Sequence, residues 1–565
     1  MPEVASLSGQ GAPMEEIPMD TTVLIIGGGW IGIKVAQELI DMGYGVVLAE
    51  SGTAMGGEPS GHPWASVKKK DLTALLDSVK EADGIEILTA ATLVSLTGVP
   101  GRFQARFEQG GESFERAVGA VVVALETQRV SLAEAYGLRG DENILTQSQL
   151  EHVCASGNGE APLFGGGSKD VLFLVGLQQE GNPVVMERAI QSALQVQDNE
   201  GLQATILVGN VKLAQHGLET LYKESREKGV LYFKLRETPH IKQNGADVSI
   251  SFFDNVIHDQ VVLRPDVLVV EEAIRPHPQA SEVAQALGIV RDGEGFLQPD
   301  NVHFLSTRSN REGIYVVGPA RLPSSLAQGW KDAQNAVLEI WQLLGKGKRV
   351  VPKEKATIHR GKCTICLTCF RVCPHGAIYW DNRAVISPTA CQGCGICASE
   401  CPMDAIQLVD FRDDQIEDQI LQGTATSVDG PQMIAFCCQN SAYEAAQMAR
   451  MTGDPLPKGL KIIQVPCAGK VDVDYILTAF KAGVDGVLVL ACHKDNCKSQ
   501  QGNTFAQWRV EHARRMLEES GLEQERLLFA TMASNMPIEF VRITKGMEDK
   551  LNQLGHNPIR KGAAA

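Results

Sequence analysis

Cysteine is almost absent from the first 362 residues of this chain. Of the 14 cysteines, only Cys154 lies before Cys363, and the other 13 fall between Cys363 and Cys497. A secreted disulfide scaffold is short and carries cysteine throughout, so this distribution excludes that class. Cysteines gathered in one region of a long chain are instead typical of metal ligation in a reducing compartment.

The chain also lacks an excess of basic residues, a long apolar run and a secretory signal. It has 52 Lys and Arg against 68 Asp and Glu, a net charge of −16, whereas binding to a phosphate backbone requires a basic face. No apolar run approaches the roughly 18 residues that a membrane span needs. The first 20 residues contain no basic region followed by an apolar one. We therefore expect a soluble, cytoplasmic protein that binds no nucleic acid and meets a membrane only through a partner.

A glycine motif lies near the start of the chain, in "TTVLIIGGGWIGIKVAQELIDMGYGVVLAE". An apolar strand over 23–26 precedes glycines at 27, 29 and 32, and a helical pattern and a second strand ending at Glu50 follow them. Such glycines let backbone N–H groups approach a pyrophosphate at a helix N-terminus, and the acidic residue accepts from a ribose hydroxyl. The alternative is a glycine-rich core turn, but the complete order of elements favours dinucleotide binding.

A later stretch, "REGIYVVGPARLPSSLAQGWKDAQNAVLEIWQLL", indicates that the dinucleotide is FAD. A late strand ending in Gly318 and a following helix are typical of flavoproteins with two dinucleotide domains, in which this segment returns to the first domain. Two glycines after the second strand agree with this. The predicted cofactor-binding residues are Gly27, Gly28, Gly29, Trp30, Ile31, Gly32, Glu50, Ser51, Gly56, Gly57, Leu93, Gly318, Leu326 and Ala327.

Residues 168–235 have the pattern of a second βαβαβ unit, with strands VLFLVG, ATILVG and VLYFKL. In relatives that use NAD(P)H, the first turn of this unit carries its own glycine fingerprint. Here the turn reads "VGLQQEGNPVV" and lacks it. The sequence therefore predicts that no nicotinamide binds, and that electrons enter and leave through metal centres.

Two copies of C-x-x-C-x-x-C-x-x-x-C-P follow, beginning at Cys363 and Cys391. Three thiolates at this spacing hold one [4Fe–4S] cluster, and the fourth crosses to the other cluster. Zinc is the alternative, but zinc pairs lack the third and fourth cysteines and the proline. The predicted ligands are Cys363, Cys366, Cys369 and Cys401 for the first cluster and Cys373, Cys391, Cys394 and Cys397 for the second.

The segment before these motifs, "KGKRVVPKEKATIHRGK", carries seven Lys or Arg and one Glu. It is interpreted as a solvated linker, or as a docking patch for an acidic electron partner.

The last part of the chain alternates strands and helices and predicts a small parallel α/β domain. Its strands read PQMIAFCC, LKIIQVPC, GVLVLAC and RLLFATMA, so cysteines end three of them in turn. Open α/β sheets build their sites at the carboxyl ends of strands, which would bring these side chains together. Four thiolates there suit a [2Fe–2S] cluster or zinc, and buried structural cysteines are the alternative. Cys154 is predicted to be inert.

These motifs resemble known families over nearly the whole chain. Residues 21–410 resemble the A-type flavoprotein of heterodisulfide reductase. Residues 431–565 are similar to the delta subunit of methyl-viologen-reducing hydrogenase, through "FCC", "VPCAGKVD" and "AFKAGVDGVLVLACHKDNC". The fusion, with "CCQNSAYEA" and "CHKDNCKS", resembles the B-type flavoprotein of quinone-interacting membrane-bound oxidoreductases (Qmo).

The resemblance implies an electron-transfer subunit of a multi-subunit oxidoreductase with one FAD, two [4Fe–4S] clusters and one [2Fe–2S] cluster. The implied partners are a second FAD subunit, a quinone-reactive membrane subunit and adenylylsulfate (APS) reductase, supplied from the menaquinone pool in sulfate respiration. The alternative is a bifurcating heterodisulfide reductase-type complex linked to hydrogenase or formate dehydrogenase. That family has a cysteine-bearing domain before the glycine motif and a cysteine run near the flavin. Neither occurs here, which favours a simple relay.

The adjacent pair Cys437–Cys438 leaves five candidates for four ligand positions in the last domain. Successive side chains of a strand point to opposite faces. In similar delta subunits the position of Cys437 can be apolar and that of Cys438 is cysteine, while a further cysteine is Ser441 here. The predicted ligands are Cys438, Cys467, Cys492 and Cys497, with Cys437 packed in the core.

The predicted fold class is multidomain α/β. It combines a Rossmann-like two-dinucleotide-domain FAD fold, a bacterial-type 2[4Fe–4S] ferredoxin insert and a flavodoxin-like C-terminal domain. The predicted segments are a flexible tail (1–20), the first FAD part (21–150), the second Rossmann-like domain (151–300), the FAD return (301–350), the ferredoxin domain (351–410), an acidic linker (411–430) and the delta-type domain (431–565).

Overall fold

The computed structural model describes residues 13–56, 69–156, 168–298, 301, 306–424 and 430–559. Within these ranges, no helix is both long enough and apolar enough to cross a membrane.

The elements alternate between short strands and helices along most of the chain, in agreement with the predicted α/β class. The strands are β1 (Met14–Pro18), β2 (Thr22–Ile26), β3 (Gly45–Ala49), β4 (Ile85–Leu88), β5 (Ala91–Val99), β6 (Arg102–Gln109), β7 (Glu112–Val118), β8 (Ala120–Val123), β9 (Gln128–Ser131), β10 (Ile144–Thr146), β11 (Lys169–Val175), β12 (Leu202–Val208), β13 (Leu231–Lys234), β14 (His240–Asn244), β15 (Asp247–Asp254), β16 (Asp259–Leu263), β17 (Val267–Val270), β18 (Glu272–Arg275), β19 (Ile314–Val316), β20 (Lys348–Pro352), β21 (Ala356–Ile358), β22 (Ile378–Trp380), β23 (Ala384–Ile386), β24 (Ile406–Leu408), β25 (Met433–Cys438), β26 (Leu460–Val465), β27 (Gly486–Ala491) and β28 (Leu527–Thr531). The helices are α1 (Trp30–Asp41), α2 (Lys69–Glu81), α3 (Gln147–Ser156), α4 (Pro183–Gln197), α5 (Leu218–Glu227), α6 (Ala280–Leu287), α7 (Leu326–Leu344), α8 (Thr368–Val372), α9 (Ile396–Ser399), α10 (Asp413–Thr424), α11 (Ala442–Thr452), α12 (Val473–Lys481), α13 (Gly502–Glu519) and α14 (Pro537–Leu554).

The first domain is built on a parallel sheet in the order β19-β8-β2-β3-β4. Its strands are apolar on both faces, as expected for a parallel sheet that is covered on both sides. Val23 and Ile25 of β2 pack with helices α1 and α7 on one face. Leu24 and Ile26 pack toward α6 and the antiparallel sheet β5-β6-β7 on the other. The predicted return of the chain to the first domain is therefore present, through β19 and α7.

The start of the chain is more ordered than predicted. Strand β1 pairs antiparallel with β20, from Met14 opposite Pro352 to Pro18 opposite Lys348. The prediction of a flexible tail is therefore wrong for residues 14–18, and residues 1–12 lie outside the described part. The basic segment 346–362 likewise contains β20 and β21 and is not simply a solvated linker.

The second domain has a parallel sheet in the order β10-β17-β11-β12-β13 and an antiparallel sheet β14-β15-β16. It is joined to the first domain by the antiparallel pair β9 and β18. The sheet starts at Ile144 and its last strand ends at Val270, while α6 packs against β5 of the first domain. The predicted boundaries at 151 and 301 are therefore both wrong, because the chain enters this domain earlier and leaves it earlier.

The ferredoxin domain consists of two antiparallel strand pairs, β21 with β24 and β22 with β23, and the short helices α8 and α9. The eight cysteines lie in the loops and short helices between these strands.

The C-terminal domain is a parallel sheet in the order β26-β25-β27-β28, the predicted flavodoxin-like arrangement. Helices α12 and α13 pack on one face, and α11 and α14 on the other. The predicted acidic linker is wrong for residues 413–424, which form α10 and pack against α12 and β26. Ile416 and Ile420, one helical turn apart, are fully buried there.

Candidate functional site

A cavity of about 210 Å³ opens at the carboxyl ends of β2, β3 and β8, where α1 begins. Its lining contains five of the predicted cofactor residues, Gly27, Gly29, Glu50, Ser51 and Leu93. The strand ends of a parallel sheet and the N-terminus of the following helix meet at this point, which is where doubly wound folds bind dinucleotides.

The glycine turn has the close approaches that its sequence predicts. Gly27 has φ of 109°, and a Cβ on it would lie 2.5 Å from the carbonyl oxygen of Ala124. A Cβ on Gly32 would lie 1.9 Å from the carbonyl oxygen of Gly27. Both positions therefore require glycine, because a side chain would separate α1 from the sheet.

Glu50 holds the turn in place. One of its carboxylate oxygens accepts from the Gly28 backbone N–H at 2.7 Å, and the other accepts from the Gly52 N–H at 2.7 Å. The side chain still lines the cavity. Glu50 therefore holds the glycine turn and also lies where the ribose is predicted to bind.

The other predicted cofactor residues that the structure describes do not line the cavity. Gly56 donates its N–H to the Gly28 carbonyl at 2.8 Å and packs against the ring of Trp30. Gly318 contacts Ile31 and Gly329 and does not line the cavity. Leu326 is buried at the start of α7, and Ala327 is exposed. Gly57 lies outside the described residues.

An acidic residue that the sequence patterns did not single out also lines this cavity, Glu126, which follows β8. A Cβ on Gly29 would lie 2.4 Å from a Glu126 carboxyl oxygen, so this group stands at the N-terminus of α1. Burial raises the pKa of Glu126 to about 7, the charge of Arg129 opposes the rise, and that of Glu50 adds to it. A glutamate directly after the buried run "VVVAL" was the available signal.

The position of the cavity at the start of α1 suits the pyrophosphate of a dinucleotide. A pyrophosphate would use the N–H groups at the start of α1 and would meet the Glu126 carboxyl there. Unpaired donors also remain near the first domain's helices: Trp30 Nε1, Ser324 Oγ and Trp330 Nε1 are buried without a hydrogen-bond partner in the described part of the chain. A bound ligand can satisfy such groups, which otherwise cost free energy.

In the second domain, the chain's own carboxylate occupies the corresponding turn. Glu271, 3% exposed, accepts from the backbone N–H groups of Gly176, Leu177 (3.2 Å) and Gln178 (3.0 Å). It also accepts from the Tyr136 hydroxyl at 2.5 Å. These N–H groups are the ones that a dinucleotide phosphate would use. The N–H groups of this turn therefore already have a hydrogen-bond acceptor within the protein, Glu271.

The eight cysteines of the ferredoxin domain form two groups that cross between the motifs. Burial raises the pKa of the Cys369 thiol, and charge on Cys401, Cys366 and Cys363 raises it further. Burial likewise raises the pKa of Cys394 to about 12, with charge on Cys373 and Cys391 adding to it. Each group thus contains three cysteines of one motif and the last cysteine of the other. Cys369 also raises the pKa of Cys397, which places the groups next to each other.

The loops around these groups are shaped to present donors to sulfur. Backbone N–H groups of Ala377, Gly393 and Ala405 donate to the sulfurs of Cys373, Cys391 and Cys401 at 3.4, 3.4 and 3.3 Å. Such donors favour the thiolate form, which is the form that binds metal. The backbone at Ile365 and Leu367 is left-handed, with φ of 63° and 57°, a costly conformation for these residues that is typical of functional loops.

Four thiols meet at the carboxyl edge of the C-terminal sheet, as predicted. The sulfurs of Cys438 and Cys492 lie 3.5 Å apart. Hydrogen bonds from the thiols of Cys467 and Cys492 lower the pKa of Cys438 well below its usual range and that of Cys497 to about 3. All four are at most 3% exposed. Four buried sulfurs in contact with one another are a donor set that fits a metal centre.

Cys437 lies on the other face of the same sheet. It packs in the cluster that contains Ala435, Leu488 and Phe540, whereas Cys438 packs with the other three thiols. Burial raises the pKa of the Cys437 thiol. Cys154 is half-buried in the second domain, where burial and the charge of Glu151 raise its pKa to about 11, consistent with an unreactive thiol.

The ferredoxin and C-terminal domains are packed directly against each other. The Ser399 hydroxyl donates to the Lys470 carbonyl at 2.7 Å, and Arg509 forms an ion pair with Glu400 at 2.8 Å. A Cβ on Gly469 would lie 2.7 Å from Ile396, which leaves no gap between the domains. Cys394 contacts Ser499, two residues from Cys497. The second cysteine group is therefore the neighbour of the four-thiol group.

Comparisons with known proteins agree with this architecture. Residues 433–555 match the family described as methyl-viologen-reducing hydrogenase, delta subunit, and residues 362–405 match the 4Fe-4S dicluster domain. The chain is 35% identical over 130 residues to the D-type iron-sulfur subunit of the vhu F420-non-reducing hydrogenase of Methanocaldococcus jannaschii, covering 23% of this chain and 97% of that protein.

The longer match is to the A-type subunit of the ferredoxin:CoB-CoM heterodisulfide reductase of Methanosarcina mazei, 27% identical over 77% of this chain and 58% of that protein. The chain thus spans little more than half of this relative's length. Among solved structures, the thioredoxin reductase of Lactococcus lactis is similar at a TM-score of 0.39, with 16% identity over 58% of this chain and 99% of that one.

The resemblance to the A-type flavoprotein of heterodisulfide reductase and to the hydrogenase delta subunit is confirmed. The chain is a fusion of a part similar to the A-type flavoprotein of heterodisulfide reductase, with its 4Fe-4S dicluster domain, and a C-terminal domain that belongs to the methyl-viologen-reducing hydrogenase delta subunit family.

Proposed function

We propose that this chain is an electron-transfer subunit of a multi-subunit oxidoreductase and holds one FAD, two [4Fe–4S] clusters and one [2Fe–2S] cluster. The observation that carries the proposal is the gathering of twelve thiols into three neighbouring groups of four, in a chain that also has a cavity at its glycine turn. Sets of four cysteines at these spacings are iron–sulfur ligands.

FAD would be held by the glycine turn, Glu50 and Ser51, with the α7 segment returning to the same domain. The proposed cofactor residues are those predicted from the sequence, together with Glu126. When bound, FAD can exchange two electrons with one carrier and single electrons with another. The protein's part is to hold the turn closed through Gly27 and Glu50, and the raised pKa of Glu126 lessens the negative charge that faces the pyrophosphate.

The clusters would be held by the crossed cysteine groups and by the four C-terminal thiols. Cys363, Cys366, Cys369 and Cys401 would hold the first cluster, Cys373, Cys391, Cys394 and Cys397 the second, and Cys438, Cys467, Cys492 and Cys497 the third. Cys397 packs against the cluster that contains Cys369, and Cys394 contacts Ser499, which orders the groups as first, second and C-terminal. Cys366 is exposed, so the first group is the one open to a partner.

We further propose that the complex is of the quinone-interacting membrane-bound type. Its other members would be a second FAD subunit and a quinone-reactive membrane subunit, which would hold this chain at the cytoplasmic face of the membrane. It would connect the menaquinone pool with APS reductase in dissimilatory sulfate metabolism. The support is the fusion of the two parts in one chain and the resemblance of the C-terminal cysteine segments to Qmo.

The second candidate is a bifurcating heterodisulfide reductase-type complex, favoured by the match to the heterodisulfide reductase flavoprotein. Against it, the segment β11–α4, which would carry an extra cluster in that family, has no cysteine. The assay that separates the two candidates uses the purified native complex. Ferredoxin reduction that requires a second acceptor would support bifurcation, and quinol-dependent reduction of APS reductase would support the relay.

Iron and flavin analysis tests the cofactor content directly. We expect about ten iron atoms, the sum of two four-iron clusters and one two-iron cluster, and one FAD per chain. A chain purified without oxygen that contains neither iron nor flavin would contradict the proposal and indicate a binding scaffold.

NADH and NADPH are expected neither to bind tightly nor to reduce the flavin. The turn of the second domain lacks its glycine fingerprint, and Glu271 already accepts its N–H groups. The measurement is flavin absorbance after anaerobic addition of either nucleotide, with dithionite as the positive control. Rapid bleaching by NADH would overturn the assignment.

FAD affinity is expected to fall as pH rises through 7. The pKa of Glu126, about 7 in the fold against an ordinary value of 4.5, means that the carboxyl is neutral at pH 6 and charged at pH 8.5. Only the charged form repels the pyrophosphate, so we expect binding at pH 8.5 to be about tenfold weaker, the equivalent of one pKa unit. Fluorescence titration of FAD into the apoprotein at both pH values measures this.

The control is Glu126→Gln, which should bind FAD more tightly at pH 8.5 and lose most of the pH dependence. Among the residues that the structure describes, the other charged or titratable groups at this site are Arg129, Glu50, Glu282 and His277. Burial lowers the pKa of His277, so its own titration lies on the acid side, and His277→Asn tests its share. An equal pH dependence in Glu126→Gln would show that Glu126 is not responsible.

A further inference from the structure

Two partly buried basic side chains, Arg311 and Lys355, lie beside the second cysteine group. Lys355 donates from Nζ to the carbonyl oxygen of Cys391 at 2.8 Å. Arg311 donates to the Leu287 carbonyl and lies over the ring of Phe103, 6.0 Å from its centroid. A Cβ on Gly376, three residues after Cys373, would lie 2.6 Å from Arg311 Nε. Arg311 and Cys373 also line the same groove. Lys355 thus lies next to Cys391, and Arg311 lies next to Cys373, so each of these two cysteines has one nearby cation.

The first cysteine group also has a nearby cation, but this one is exposed to solvent. Arg371 donates to the carbonyl oxygen of Cys366 at 3.2 Å, the same type of contact that Lys355 makes with Cys391. Arg371 and Cys366 are both exposed. Water and salt screen a charge at that position, so it acts weakly on the sulfurs.

The charges at the second group act in a less polar environment. Burial lowers the pKa of both Arg311 and Lys355, and the charges of Cys373 and Cys391 oppose that shift. Coulomb interactions strengthen as the effective dielectric constant falls. The interaction between these cations and the sulfurs is therefore stronger than that of Arg371 with the first group.

We propose that Arg311 and Lys355 raise the reduction potential of the second cluster, so that it accepts electrons from the first. This rests on the proposed function, in which both cysteine groups hold [4Fe–4S] clusters. Reduction adds one negative charge, which burial alone disfavours and which a nearby cation stabilises. In the transfer, the first cluster loses one electron and the second gains it, and no bond is made or broken. The first electron comes from a low-potential one-electron donor at the exposed first group.

The test is a potentiometric titration followed by EPR on four variants of the full chain. Arg311→Gln and Lys355→Gln should each lower the potential of the second cluster by about 59 mV, which is a tenfold smaller ratio of reduced to oxidised cluster for a one-electron couple. Arg311→Lys keeps the charge and should retain most of the original potential. Arg371→Gln is the matched control and should leave both potentials nearly unchanged.

Iron content separates this inference from the proposed function. If the variants retain all their iron and the second cluster titrates at its original potential in Arg311→Gln and Lys355→Gln, the inference is wrong and the cluster assignment stands. An equal shift of the first cluster in Arg371→Gln would also contradict the inference, because it would show that solvent does not screen the charge of Arg371. If the unmodified chain shows no [4Fe–4S] signals, the proposed function itself fails.

Discussion

Replacing Cys438 with alanine is expected to abolish the [2Fe–2S] signal, whereas replacing Cys437 should leave it intact. The two residues are adjacent in β25, but only Cys438 contacts the thiols of Cys467 and Cys492. Cys437 points to the other face of the sheet, and its register partner in the neighbouring strand is Leu490. Removing one of four ligands destroys a centre, while removing a small buried side chain costs on the order of 1 kcal/mol of stability.

EPR of the reduced protein and iron analysis measure the effect. Cys438→Ala should lose about two of about ten iron atoms and the corresponding signal, and Cys437→Ala should lose neither. Thermal unfolding of both variants is the control, since a comparable melting temperature excludes general misfolding. If Cys437→Ala alone loses the signal, the assignment is wrong. Loss in both variants would mean that the strand end bends to use the adjacent pair.

The same experiment decides between iron and zinc at these four thiols. Four thiolates in a closed, buried site suit either metal. Zinc would give a chain with about eight iron atoms and one zinc, and with no third EPR signal in the unmodified protein. The Cys438→Ala variant would then lose zinc.

Features encoded within short stretches could be predicted from the sequence. The glycine turn depends on a strand, three glycines and a helix that follow one another, and the close contact of Gly32 with the Gly27 carbonyl lies within this stretch. The crossed cysteine groups depend on spacing within about 40 residues, a count that the ligand chemistry itself fixes. The alternation of side chains along a strand separates Cys437 from Cys438, but the choice of Cys438 as the ligand also needed the resemblance to delta subunits.

Features that depend on distant contacts could not be predicted in this way. Glu126 and Glu271 each follow a buried strand, and only the folded sheet shows that they face the glycine turn of their own domain. Helix α10 has the composition of a linker because acidic residues dominate its sequence, although Ile416 and Ile420 bury it against the C-terminal domain. The contact between Cys394 and Ser499 joins segments about 100 residues apart, and no local pattern encodes it.

Replacing Cys373 with alanine is expected to remove the second [4Fe–4S] cluster and to spare the first. Cys373 belongs to the first motif in sequence, but its charge acts on Cys391 and Cys394 of the second motif. Its sulfur accepts from the Ala377 N–H at 3.4 Å, which orients it as a ligand. We expect loss of about four iron atoms per chain and of one of the two [4Fe–4S] EPR signals.

The matched variant is Cys369→Ala, which alters the neighbouring cysteine of the same motif. Its thiol is acted on by Cys401, Cys366 and Cys363, so this change should remove the first cluster instead. The two variants should therefore lose different signals with different potentials, although their mutated residues are only four positions apart. Loss of the same signal in both would show that each motif holds its own cluster.

Because the second group adjoins the C-terminal thiols, Cys373→Ala should also block reduction of the [2Fe–2S] centre by a donor at the first group, while Cys437→Ala should not.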